Sequence, residues 1–272
     1  MDRVVAYEQV QNFVGDIRNL RQGFVTNFFW DERKHPYWME NRSLFFLKAD
    51  RCYLLLHRNG KFSNLFYIAT DMGAVAEALG QTALETDSVI DIVSKQEGQE
   101  ETEVLRGAGF RPYRQLFRMS HIGQLADDSW EEPEGVTFGE DADVQQVYDT
   151  LQTGFDPLSE QLPSMQEVRD FVQRRQLLVV RESESLCGFL IFELSGRTSW
   201  YLRYWYTAPE HRNRKVGARL LKAALLKGKD TRRQQLWVVS DNENAIRRYE
   251  HYGFKREPIT NHVMIKYRQD ER

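Results

Sequence analysis

The stretch 199–221 limits what this chain can fold into more than any other. Residues 199–207 are dense in aromatics (Trp200, Tyr201, Tyr204, Trp205, Tyr206), a composition that suits a strand. Pro209 ends it, because proline has no N–H to offer a ladder. Arg212, Asn213, Arg214 and Lys215 crowd the turn that follows. Val216, Leu220, Leu221, Ala224 and Leu225 then recur at the spacing of an amphipathic helix. A helix N-terminus carries unpaired N–H groups and the positive end of a dipole. Strand, basic turn and helix start in succession therefore make an anion site, and the cations Arg212, Arg214 and Lys215 suit a polyphosphate.

Two motifs carry a family resemblance. Arg212-Asn213-Arg214-Lys215-Val216-Gly217 resembles the acetyl-CoA pyrophosphate loop of the GNAT acyltransferase superfamily, Gln/Arg-x-x-Gly-x-Gly/Ala. Arg212 takes the Arg position and Gly217 the second Gly, but Lys215 stands where the first glycine belongs. If that position needs positive φ, lysine is costly there; if its backbone is ordinary, lysine adds a cation. Farther on, residues 242–254 resemble the family's N-x-x-A-I-x-x-Y-E-x-x-G-F through Asn242, Ala245, Ile246, Tyr249, Glu250, Gly253 and Phe254. The motifs occur in the family's order.

The resemblance implies an α/β fold with a central mixed (α+β) sheet flanked by helices. From residue 136 the pattern reads β-α-α-β-β-β-α-β-α-β-β, the order of one GNAT domain, with a capping box at Ser164 and Glu167 opening the second helix. Residues 157–163 read as loop, and 254–257 and 262–267 as separate strands. Before residue 120 the chain repeats the plan. Strands over 43–70 include an Asn59-Gly60 hairpin signal, a helix from Met72 follows an Asp71 cap, and 103–110 resembles 247–254. We read 1–120 as a second, degenerate GNAT-like domain, 121–135 as an acidic linker and 136–272 as the acetyltransferase domain. In the first copy the helix after Thr70 opens Asp71-Met72-Gly73-Ala74 with no arginine, and Leu105 stands where Tyr249 does, so it is expected to have lost acetyl-CoA binding. The aromatics over 24–38 are read as core.

For function, the resemblance implies an N-acetyltransferase that moves an acetyl or other acyl group from acetyl-CoA to a primary amine by direct attack in a ternary complex. Main-chain groups of Tyr206 and Thr207 would meet the acetyl and pantetheine arm. The amides of Arg212, Asn213, Arg214, Lys215, Val216, Gly217 and Ala218 would cradle the pyrophosphate, and Asn242 would hold the pantetheine side. Tyr249 is the general-acid candidate by the same resemblance, although a tyrosine on an amphipathic helix ordinarily packs. Glu193 is the candidate base, against its reading as a solvated strand-end carboxylate; His211 reads as a turn histidine and the base stays open. The alternative function is a non-catalytic acyl-CoA-binding or scaffold protein of the same fold. No GxxxxGK[ST] or GxGxxG stretch supports a nucleotide binder.

Composition narrows the partners. A formal net charge of -3 with 28% charged residues gives no reason to expect nucleic acid or a membrane. Cys52 and Cys187, the only two cysteines, lie far apart in apolar runs and read as buried free thiols in a reducing compartment, with no metal expected. The N-terminus lacks an apolar signal segment, so a cytoplasmic protein is expected. The acceptor is a small-molecule, peptide or protein amine, and a homodimer is left open.

Overall fold

In the computed structural model, which describes residues 1–95, 99–123, 130–183, 185–195 and 198–268, the chain forms two compact units. One comprises Met1–Leu116 with Pro258–Arg272, the other Phe117–Glu257. No helix among the described residues is long and apolar enough to cross a membrane.

The first unit runs β1 (Asp2–Arg3), α1 (Tyr7–Asn19), β2 (Val25–Thr26), α2 (His35–Glu40), β3 (Leu44–Ala49), β4 (Cys52–Asn59), β5 (Phe62–Ala69), α3 (Met72–Gly80), β6 (Asp87–Ser94), α4 (Gln99–Gly107) and into β7 (Arg111–Ile122). β3, β4 and β5 are an antiparallel meander, and β5 pairs in parallel with β6. Every residue of β5 is buried, as a strand covered on both faces requires. Leu65 and Tyr67 meet Val75, Leu79 and Phe110 on one face, while Phe66 and Ile68 meet Ile17, Phe28 and Trp38 on the other. Trp38 stacks on His57 with ring centroids 3.8 Å apart, and burial pushes that imidazole's pKa down to about 3. The aromatics of 24–38 are thus mostly core, with Phe29 the exposed exception.

The second unit takes the end of β7, then β8 (Thr137–Phe138), α5 (Val144–Gly154), α6 (Pro157–Glu160), α7 (Met165–Gln173), β9 (Leu177–Glu182), β10 (Ser185–Ser195), β11 (Ser199–Thr207), α8 (Val216–Lys227), β12 (Arg233–Val239), α9 (Glu243–His251) and the start of β13 (Lys255–Lys266). β9, β10 and β11 are antiparallel and β11 is parallel to β12. α8 buries Val216, Leu220, Leu221 and Ala224 against Leu190, Phe192, Leu202 and Leu236. On the opposite face α5 and α7 bury Val147, Leu151, Val168 and Phe171 against Val179, Phe189 and Ile191. Each large apolar side chain so buried contributes about 1.5–3 kcal/mol.

Three features differ from the pattern expected of the sequence. Residues 157–160 form a short helix rather than loop. Pro157 suits a first helical turn, and Asp156 caps it by accepting from Leu158 N at 3.1 Å. The two expected strands are one, β13 (Lys255–Lys266), which runs through Pro258 and leaves out Phe254 and Tyr267. Its later residues also leave the second unit: Thr260↔Ser94 to Lys266↔Ser88 pair antiparallel with β6, burying Val263, Met264 and Ile265. The expected division at 121 and 136 also shifts, because β7 extends to Ile122 and the second unit begins at Phe117. Part of the expected linker, 124–129, lies outside the described residues. Residues 130–135 run along α8, where Arg219 Nη1 donates to Glu134 O at 2.9 Å.

Candidate active site

The site begins with an irregularity in β11. Its ladder with β10 runs Gly188↔Thr207 to Ile191↔Tyr204 and resumes at Phe192↔Leu202, which leaves Arg203 as an extra residue. Such a bulge twists a strand sharply and re-aims its side chains. Trp200 and Leu202 face α8 before it; after it Trp205 faces α8 while Tyr204 and Tyr206 face α5 and α7. The parallel ladder with β12 also stops there, at Leu202↔Leu236, although β11 continues to Thr207 and β12 to Val239. From Arg203 on, the strands part. The β12-side edge of β11, including the backbone of Tyr206 and Thr207, has no ladder partner among the described residues.

Beyond Thr207 the chain makes a 3-10 turn at Pro209–His211 and enters α8. Asn213 and Lys215 both have positive φ, 66° and 59°. The Lys215 position is therefore one that favours glycine, and a lysine there costs roughly 1–2 kcal/mol of backbone strain. Arg219 N makes the first helical bond, to Lys215 O at 2.9 Å. Among the described residues the amides of Asn213, Lys215, Val216, Gly217 and Ala218 have no acceptor. They form a concentrated donor array at the positive end of a helix of twelve residues. The side chains of Arg212 and Lys215 are exposed and without an ion-pair partner among the described residues, whereas Arg214 pairs with Glu182 at 3.2 Å. Gly217 brings α8 close to β11: a Cβ there would lie 3.0 Å from Thr207 Oγ1 and 3.1 Å from the Trp205 ring.

Trp205 joins this turn to α9, since its ring centroid is 5.7 Å from that of Tyr249. Tyr249 is buried, yet its hydroxyl has no hydrogen-bond partner among the described residues. Burial raises its pKa and the Glu160 carboxylate raises it further, so the phenol holds its proton. Asn242 caps α9, its Oδ1 accepting from Ala245 N at 3.1 Å. Only its amide N–H groups remain for a ligand.

Glu193 is not brought to this place. It pairs with Arg203 at 3.4 Å and stands opposite Tyr201, four residues back along β11 from Trp205, or about 13 Å at strand rise. A carboxylate already held by a guanidinium is poorly placed to take a proton. Sequence reasoning passed over Glu160, whose negative charge acts on Tyr249 and helps to keep its phenol protonated. Its loop is tied down by Tyr204, whose hydroxyl donates to Glu160 O at 3.2 Å and Gln161 O at 2.9 Å. The acid-capped helix start Asp156-Pro157 was the signal for it.

The first unit holds the same plan with its gap filled. The parallel ladder of β5 and β6 ends at Leu65↔Ile90, and there β2 pairs with the freed edge of β5, Val25↔Ala69 and Thr26↔Ile68. Asn27 spans the gap: its Oδ1 accepts from Tyr67 N at 2.7 Å and its Nδ2 donates to Asp91 O at 3.1 Å. At the start of α3, the Asp71 carboxylate accepts from Ala74 N at 2.8 Å, occupying the helix end where an anion would sit.

A strand that splays from its parallel neighbour, with an amide-rich basic turn opening the next helix, defines the class of acyl-CoA N-acyltransferase folds. Residues 144–254 match the family model described as the acetyltransferase (GNAT) family, and this part of the chain is a GNAT domain. Over the whole chain the structure is similar to a tandem GNAT protein from the clavulanic acid biosynthesis pathway, at 13% identity, covering 100% of this chain and 99% of that one with a TM-score of 0.59. It is also similar to a GCN5-related N-acetyltransferase from Sphaerobacter thermophilus (15% identity, 81% and 78% covered, TM-score 0.56). A third likeness is to one from Kribbella flavida (17%, 83% and 90%, TM-score 0.56). At these identities the likeness is one of fold, and the full-length coverage extends the GNAT-like fold to the first unit. No curated protein matches the sequence.

Proposed function

We propose that the second unit is an N-acyltransferase that uses acetyl-CoA and an amine acceptor. The observation that carries this reading is the convergence on Trp205 of the unpaired amides around Gly217, the splayed edge of β11 and the buried ring of Tyr249, whose hydroxyl has no hydrogen-bond partner among the described residues. The donor array fits the pyrophosphate of a coenzyme A, with Arg212 and Lys215 adding charge. The free edge at Tyr206 and Thr207 fits the amide-bearing arm, with the Asn242 amide beside it. Acetyl-CoA supplies the acyl group as a thioester. Tyr249 holds a proton where a departing thiolate would need one, and burial keeps that proton in place until then. Glu160, rather than Glu193, is the carboxylate whose field reaches this point; it would draw in an amine as its ammonium form, which gives a proton to solvent before its lone pair attacks the thioester. The first unit, its gap filled by β2 and Asn27, is read as taking no acyl-CoA.

A non-catalytic acyl-CoA-binding module is the second reading, favoured by the strained Lys215 and by the pairing of Glu193 with Arg203. Calorimetric titration with acetyl-CoA, followed by thiol release with a panel of amines, separates the two. The expected result is one site per chain, weakened in Arg212→Ala, and thiol release with at least one amine. Binding without release across the panel favours the module; no binding sinks both readings.

A further inference from the structure

Beside the basic turn lies a group of side chains that the acyl-transfer reading does not use. One ligand atom each from Glu182, Cys187 and His211 lies within 4.8 Å of the others. They come from different elements: Glu182 ends β9, Cys187 is near the start of β10, and His211 closes the 3-10 turn just ahead of Arg212. Cys187 is itself an extra residue, because the β9–β10 register shifts between Leu186 and Gly188. A bulge of this kind turns a side chain to a place the regular pleat would not.

His211 supplies the second observation. It is only 9% exposed, and its Nδ1 is buried without a hydrogen-bond partner. Glu182 Oε2, at 3.8 Å from it, is beyond hydrogen-bond range. A buried polar atom left so is costly, and native structures seldom keep one without a use.

We propose that Glu182, Cys187 and His211 bind one zinc-class divalent metal ion. One sulfur, one nitrogen and one oxygen donor suit zinc or cobalt, and not calcium or magnesium, which take oxygen alone. Metal–ligand bonds of about 2.0–2.3 Å put tetrahedral ligands about 3.5 Å apart, so the atoms need close by only about 1 Å. On binding, the Cys187 S–H bond breaks and a sulfur–metal bond forms. The proton passes to water, the Nδ1 lone pair and the Glu182 carboxylate complete three protein bonds, and the metal keeps its oxidation state. A water fills the fourth position from the side of exposed Glu182. The competing Glu182–Arg214 pair is 54% and 59% exposed, hence weak, and yields the carboxylate. The bound ion ties β9 and β10 to the turn that carries Arg212.

The test is titration of the full-length, thiol-reduced protein with cobalt(II) alone, followed by absorption, so that it does not depend on any acyl-CoA chemistry. We expect one equivalent to give a sulfur-to-cobalt charge-transfer band with visible bands of tetrahedral coordination, and zinc to bleach both. Cys187→Ser should abolish the charge-transfer band, and His211→Gln and Glu182→Gln should each weaken binding about tenfold or more. Absence of the band in the parent, or its survival in Cys187→Ser, overturns the proposal. Glu182 is on the surface, so its variant does not threaten the fold; cobalt affinity in Glu182→Gln equal to the parent's also overturns it.

Discussion

Tyr249 is neutral through the working pH range because burial and Glu160 both disfavour the phenolate. Replacing it by phenylalanine keeps the ring against Trp205 and Phe254 and removes only the proton donor. Tyr249→Phe is therefore expected to lose about a hundredfold or more in turnover with unchanged acetyl-CoA affinity in calorimetry. Equal turnover in the two proteins would remove Tyr249 from the chemistry. Lys215 poses the opposite question, since it accepts a φ of 59° that glycine would take freely. Lys215→Gly relieves about 1–2 kcal/mol of strain but adds about 0.4–1 kcal/mol of unfolded-chain entropy, leaving stability within about 1 kcal/mol of the parent. Coenzyme A binding should weaken several-fold for want of the cation. Tighter binding would mean that the lysine obstructs the turn.

At the scale of elements, the contact that sets the width of the site is α8 against β11 at Gly217. A methyl group there meets Thr207 Oγ1 at 3.0 Å and the Trp205 ring at 3.1 Å, and neither is the end of a long flexible chain. Gly217→Ala should cost about 1–3 kcal/mol of stability, read as a lower thermal midpoint, as overpacking does. A midpoint equal to the parent's would show that α8 can move away. The turn and α9 were readable as elements beforehand because they are local: Arg212, Gly217, Asn242 and Tyr249 fall on contiguous segments that resemble the two family motifs. What was not legible depends on pairing between distant strands. The bulge at Arg203 appears only when β10 and β11 are laid in register, and with it the loss of Glu193 to an ion pair. The filling of the first unit's gap by Asn27 joins residues forty apart, from Asn27 to Tyr67. No periodicity encodes that contact. The φ of Lys215 was undecided for a different reason: the sequence names the residue, while the turn around it sets the angle.

At the scale of the molecule, each unit must be closed where the chain enters and leaves it, and the second unit does this with charge. Glu257, its last residue, takes Arg118 Nε at 2.7 Å and also pairs with Arg233 on β12. Burial alone would raise the pKa of this carboxyl. Hydrogen bonds from Ser120, Arg233 and Arg118 outweigh burial and hold it at about 2. A carboxyl depressed in the folded state stabilises above its unfolded pKa, about 4.3 for glutamate. That stability, of order 2 kcal/mol at a site only 13% exposed, is complete at neutral pH. It is lost as the pH falls from about 5 toward 2. Glu257→Gln should therefore unfold more readily than the parent at pH 7, in denaturant titrations that follow tryptophan fluorescence. The gap should narrow steadily below about pH 5 and close near pH 2, where the parent's carboxyl takes up its own proton. A gap that stays constant across that range would mean that Glu257 acts through packing, with the two arginines contributing no electrostatic hold on the end of the unit.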